Sequence, residues 1–110
     1  MKEYLKEMLE NYDIDSRGKE AYECFITDTT IFDIRDFLSV NGNIIVEDLN
    51  TFLYIATISA GVKNMNYAVT VLKLDNGKLH VYAVAREGLF NQHTSQKAIE
   101  KIKAEFSNGK

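Results

Sequence analysis

Tyr67 to Arg86 reads YAVTVLKLDNGKLHVYAVAR, two runs of alternating apolar and polar residues on either side of Asp75-Asn76-Gly77. Asn-Gly between such runs is the strongest short-range signal for a β-hairpin, because both central residues of a type I′ turn need positive φ. A two-residue loop sets Asp75 opposite Lys78, Leu74 opposite Leu79, Leu72 opposite Val81, Thr70 opposite Ala83 and Ala68 opposite Ala85. Side chains two apart share a face, so Leu74, Leu72, Thr70 and Ala68 with their partners form one largely apolar surface. The other face pairs Lys73 with His80, Val71 with Tyr82, Val69 with Val84 and Tyr67 with Arg86. A three-residue loop would set Lys73 against Leu79 and move an apolar set to the wrong side, so the two-residue register is favoured. The first face is expected to be core. The second is mixed, apolar in its middle and polar towards its ends.

Outward from the hairpin, Thr51 to Ala60 is rich in β-branched and aromatic residues and suits a strand buried on both faces, with a helix capped by Asp48 as the rival. Gly61 to Asn66 then links it to the hairpin in a three-stranded meander. Tyr22, Cys24 and Ile26 alternate within Lys19–Thr27, which adds a fourth strand, although a helix capped by Ser16 is also consistent. Met1, Tyr4, Leu5, Met8, Leu9 and Tyr12 make one stripe of a helix over Lys2–Asn11. Ile99, Ile102 and Phe106 do the same over Ser95–Phe106, with N-cap candidates in Asn91–Ser95 and fraying from Ser107 to Lys110. Thr30 with Asp33 resembles a capping box ahead of a helix from Ile31 to Val40, stopped by Asn41-Gly42. The rival uses Asn41-Gly42 as a second hairpin turn between Phe37–Val40 and Asn43–Val46. The expected fold is α+β: a three- to four-stranded antiparallel sheet with the N- and C-terminal helices packed on its apolar face.

At 110 residues, 45% hydrophobic and 26% charged, the chain is one globular domain over residues 1–110, with enough core to need no disulfide or metal staple. Its single cysteine, Cys24, fits a reducing compartment, and its charged N-terminus lacks the apolar centre of a secretion signal. The longest largely apolar run free of charge, Thr51–Val62, is too short to span a bilayer. A cytoplasmic protein is expected. A composition rich in Lys, Asn and Ile, without Pro or Trp, fits a bacterial or phage source. Residues 1–50 carry twelve acids and five bases, a net −7, whereas residues 51–110 carry four acids and eight bases, a net +4. If the halves occupy different surfaces, the molecule has an acidic and a basic side; solvated faces are the plainer reading.

No constellation of residues compels a chemistry. Asp13-Ile14-Asp15-Ser16-Arg17-Gly18 begins like a calcium loop, but Arg17 and Cys24 occupy positions that need oxygen ligands, so it reads as a turn. Two histidines and one cysteine are too few for a zinc site. Cys24 could act as a nucleophile only if the fold brings His80 or His93 to it, and free cysteine is more often a buried apolar residue. Ser59 and Ser95 lack a nucleophile-elbow sequence. Asp33 with Asp36, three apart on a helix, reads as a solvated face, and the isolated glycines make no phosphate loop. We therefore expect no catalytic residues, no metal and no cofactor.

The expectation that remains is a small non-enzymatic protein-binding domain, an inhibitor, immunity-type or regulatory factor, with a possible homodimer through the sheet edge or the mixed face. Its anchors would be Tyr67, Lys73, His80, Tyr82 and Arg86, all on that face. The alternative is a nucleic-acid or small-ligand module on the same residues, with the tyrosines stacking on bases. A sequence pI of about 5.3 counts against phosphate contacts.

Overall fold

The computed structural model describes residues 1–88 and 91–108. Its elements run α1 (Lys2–Asn11), β1 (Lys19–Ile26), α2 (Ile31–Asn41), β2 (Gly42–Asp48), β3 (Leu53–Ala60), a single 3-10 turn (Val62–Asn64), β4 (Asn66–Asp75), β5 (Lys78–Ala85) and α3 (Thr94–Phe106). The strands form one antiparallel sheet in the order β1-β5-β4-β3-β2. The protein is α+β with five strands, one or two more than the sequence suggested, and three helices.

The hairpin takes the two-residue register, with Leu72 opposite Val81, Val71 opposite Tyr82 and Lys73 opposite His80. Asn76 and Gly77 both have positive φ, at 49° and 77°, as a type I′ turn requires. Leu72, Ala68, Leu79, Val81, Ala83 and Ala85 face a core shared with Tyr54, Ile58, Ile34, Leu38, Ile99 and Ile102. Thr70 lies in the same layer, its hydroxyl donating to the Ala56 carbonyl at 2.8 Å.

The extra strand comes from Asn41-Gly42. Helix α2 forms, capped by Thr30 Oγ1, which accepts the Asp33 N–H at 3.2 Å. Gly42 then opens a strand instead of a left-handed stop: its φ of −177° and ψ of −146° are extended. Glycine is needed there for close approach, since a Cβ would run into the Thr57 carbonyl of β3. Both competing readings were half right, and β2 pairs with β3, not with residues 37–40. A bulge between Ile44 and Val46 breaks its register, a common feature of edge strands.

The terminal helices do not share a face. Helix α3 joins α2 on the first face, while α1 lies on the mixed one. In a sheet of five strands the apolar middle of the mixed face grows: Val69, Val71, Tyr82 and Val84 gain Leu53 and Ile55 from β3, Val46 from β2 and Tyr22 from β1. Leu5 and Leu9 of α1, both fully buried, cover it. Each buried leucine contributes about 1.5–3 kcal/mol. His93, within the Asn91–Ser95 run, stands at the N-cap of α3 without a side-chain cap bond; the Glu87 carboxylate accepts the N–H groups of Gln92 and Thr94 at 2.5 and 2.8 Å. Ser107 and Asn108 are tied down, their N–H groups donating to the carbonyls of Lys103 and Ile26. The expected fraying at Gly109 and Lys110 lies outside the described residues.

Each core layer contains a fully buried tyrosine that reaches an edge-strand glutamate. Tyr54 donates to Glu47 Oε2 at 2.5 Å, and burial with that contact pushes its phenol up to about 12. Tyr82 donates to Glu20 Oε2 at 2.6 Å, and Lys2 and Lys6 of α1 close on the same carboxylate at 2.9 and 3.4 Å. The Tyr82 hydroxyl and then Lys2 hold the Glu20 carboxyl down at about 2. Tyr82→Phe should lower the unfolding free energy by about 1.5–3 kcal/mol in denaturant titrations, the cost of losing a hydrogen bond to a charged acceptor. A depressed carboxyl pKa stabilises fully above the ordinary value of 4.5, and that stabilisation is lost as pH falls towards about 2. Glu20→Gln should therefore flatten the fall in stability across that acid window, measured as thermal midpoint against pH.

Candidate functional site

Helix α1 divides the five residues expected to form one surface. Tyr82, the central one, is fully buried beneath it, with its hydroxyl committed to Glu20. The face that alternation marked as half-exposed is there a second core, so Tyr82 offers nothing to a partner. Lys73 and His80 lie towards the turn end of the hairpin. Tyr67 and Arg86 lie at its open end.

At the turn end, Lys73 Nζ donates to the Thr51 carbonyl at 2.6 Å, which uses its charge to hold the start of β3. His80 Nδ1 lies 3.0 Å from the Tyr22 hydroxyl. Its Nε2 lies 3.9 Å from Cys24 Sγ, because β1 pairs Cys24 directly opposite His80. The fold thus supplies the proximity that the sequence left open, and Cys24 is exposed where a buried thiol was expected. Burial lowers the His80 pKa, which favours the neutral ring. A separation of 3.9 Å on an open edge strand is a loose contact.

The open end is better built. Gly18, at φ 136°, lets the chain after α1 pass against the end of β5, where a Cβ would run into the Ala85 carbonyl. That crossing brings Asp15 and Arg17 beside Arg86, about seventy residues further along the chain. Asp15 Oδ1 accepts the backbone N–H of Arg17 at 2.9 Å and its Nε at 3.0 Å, and Oδ2 accepts Nη2 at 3.2 Å. Arg86 Nη1 approaches Oδ2 at 3.4 Å. Hydrogen bonds from Arg17, with Arg86 adding charge, hold the Asp15 carboxyl at about 2.

Asp15, Arg17, Arg86, Tyr67, Asn66 and Val84 line a notch of about 300 Å³. Asn66 fixes its rim: Nδ2 donates to Thr94 Oγ1 at 3.2 Å, and Oδ1 accepts the Tyr67 N–H at 2.9 Å. The tyrosine is 61% exposed. The side chains of Arg17 and Arg86 are 76% and 68% exposed. Two guanidiniums share one carboxylate, which leaves a net positive charge and free N–H donors in fork geometry beside an aromatic face. Such a group can take a second carboxylate or a phosphate.

In the sequence, Asp15 and Arg17 read only as part of a turn. The local signal was present, since an Asp two residues before an Arg makes a compact ion pair, but its neighbour Arg86 is set by the fold. Among the described residues, no group of three or more His, Cys, Asp and Glu side chains is arranged to hold a metal ion. No described helix is long and apolar enough to cross a membrane. No protein-family model matches the chain, and neither a curated protein nor a solved structure matches it at a significant level.

In a carboxyl NMR titration, the Asp15 side chain should titrate near 2 and move towards its ordinary value of 3.8 in Arg17→Ala. Arg86→Ala should produce a smaller move in the same direction. An Asp15 that titrates normally in the wild type would show that the notch does not hold this ion-pair geometry in solution.

Proposed function

We propose that this protein is a non-enzymatic protein-binding domain that acts as an inhibitor or regulatory factor, and that the Tyr67–Arg86–Arg17 notch is its contact surface. The observation that carries this reading is the coexistence of an exposed tyrosine and two exposed arginines around one small concavity. Tyr and Arg are the residues most enriched at interface hot spots, because each combines a large contact area with directional donors. The net positive charge left by two guanidiniums on one carboxylate favours an acidic side chain, Asp or Glu, on the partner. The rigid frame of Gly18, Asn66 and the strand ends supports the arrangement before any partner arrives, which lowers the ordering cost of binding.

A single-stranded nucleic acid is the competing ligand, since the same arginines suit phosphate. Burial of Tyr82 weakens that alternative, because it removes one of the two tyrosines that a stacking platform on this face would use.

Affinity capture from the source organism's lysate, with and without nuclease, separates the two. The expected result is a protein retained after nuclease treatment and lost when the bait carries Arg17→Glu with Arg86→Glu. Tyr67→Ala should weaken the same association about tenfold or more, the range of an aromatic hot spot, with an unchanged thermal midpoint. Capture that depends on nucleic acid, or that survives the double charge reversal, would remove the notch from this role.

A further inference from the structure

Helix α2 has a second stripe besides the one it buries. Ile31, Ile34 and Leu38 enter the core, while Asp33, Asp36, Phe37 and Val40 follow the i, i+3, i+4, i+7 pattern on a neighbouring face. That face borders a groove of about 660 Å³ whose other wall is the end of α3 and the residues after it. Its volume falls in the range of clefts that hold ligands.

The groove has an apolar base and an acidic rim. Phe37 and Phe106 meet edge to face, with ring centroids 5.2 Å apart, and Val40 beside them is 85% exposed. Asp28, Asp33, Asp36 and Glu105 stand around them, and among the described residues the lining contains no Lys or Arg. None of these four acids has an ion-pair partner among the described residues. Ion pairs hold Glu20 to Lys2 and Lys6, Glu23 to Lys103, Asp15 to Arg17 and Arg86, and Glu47 to Arg35. Other exposed acids such as Glu3 and Glu7 are unpaired like those of the groove, among the described residues, but do not surround an apolar side chain in a concavity. An exposed aliphatic side chain inside a ring of unpaired like charges is unfavourable to the monomer on both counts, since the acids repel and the valine is hydrated.

We infer that the α2–α3 groove is a docking site for a basic segment of another protein, one that sets a large apolar residue on Val40 and Phe37 and places Lys or Arg against Asp28, Asp33, Asp36 and Glu105. The apolar contact supplies affinity, and the charges supply orientation and encounter rate. The groove opens on the first face of the sheet, near the turn end of the hairpin. The two-arginine notch lies on the other face at the open end, so the two surfaces are separate and of opposite charge, and this docking site does not depend on the role of the notch.

The test uses two fluorescein-labelled hexapeptides, Lys-Leu-Lys-Lys-Leu-Lys and its analogue with alanine at both leucines, and reads binding by anisotropy. The leucine peptide should bind the wild type about fivefold tighter than the alanine peptide, as expected when apolar area is buried along with charge. Asp36→Lys with Glu105→Lys should weaken the leucine peptide by about tenfold or more. Glu3→Lys with Glu7→Lys, the same charge change on the exposed side of α1, should leave it within about twofold, since exposed charges beyond a Debye length are screened. Val40→Ser, an exposed change that leaves the fold intact, should remove most of the leucine preference. Equal binding of the two peptides, or equal losses from the two charge reversals, would reduce the groove to general acidity and overturn the proposal. Self-association in sedimentation that Asp36→Lys with Glu105→Lys abolishes would also overturn it, by giving the groove to a second copy of this chain.

Discussion

The two-residue turn at Asn76-Gly77 is the constraint on which the architecture rests. It pins β4 against β5 in a register where residues of one parity turn to the side of α2 and α3, and those of the other to the side of α1. A slip by one would move Lys73 and His80 into the first core and turn Leu72 and Val81 away from it. Neither layer could then close, because side chains alternate strictly along a strand. The remaining strands add to this pair on both sides, β3 and β2 beyond β4, and β1 beyond β5. The helices follow from which apolar surface is left uncovered.

Alternation shows where a side chain points but not what meets it there. The mixed face of the hairpin looked half-solvated because Lys73, His80, Tyr67 and Arg86 mark its ends. In the sheet it is wide enough to need its own helix, and α1 supplies it. Tyr82 therefore changes from a surface anchor to the centre of a second core, kept there by a glutamate that also fastens α1. Tyr54 repeats the device in the other layer with Glu47. A buried phenol needs a partner for its hydroxyl, and in both cases the nearest edge strand provides it.

The charge asymmetry of the sequence is also redistributed. The acidic first half and basic second half do not become two sides of the molecule, because β1 inserts beside β5 and α3 returns over β1. Pairs such as Glu23 with Lys103 and Asp15 with Arg86 join the halves. What survives is local: a positive notch assembled from both halves, and an acidic groove formed by Asp28, Asp33 and Asp36 with Glu105 from the far end. Each carries a net charge beside an aromatic side chain, Tyr67 in the notch and Phe37 in the groove.

Short-range physics was legible in the chain. The hairpin and its register, α1, the Thr30 cap of α2, the body of α3, and the strand character of Leu53–Ala60 and Lys19–Ile26 follow from periodicity, turn chemistry and capping, which act within about ten residues. The fifth strand was not legible, because Asn41-Gly42 carries the same letters for a helix stop, a turn or a close backbone crossing, and only the position of Thr57 selects the last. The candidate site was legible in part: Tyr67 and Arg86 share the open end of the mixed face in any correct reading of the hairpin. Their meeting with Asp15 and Arg17, the loss of Tyr82 to the core and the contact of Cys24 with His80 were decided by tertiary structure. Those outcomes depend on which distant segments compete to cover an apolar surface, a balance that no local stretch of sequence contains.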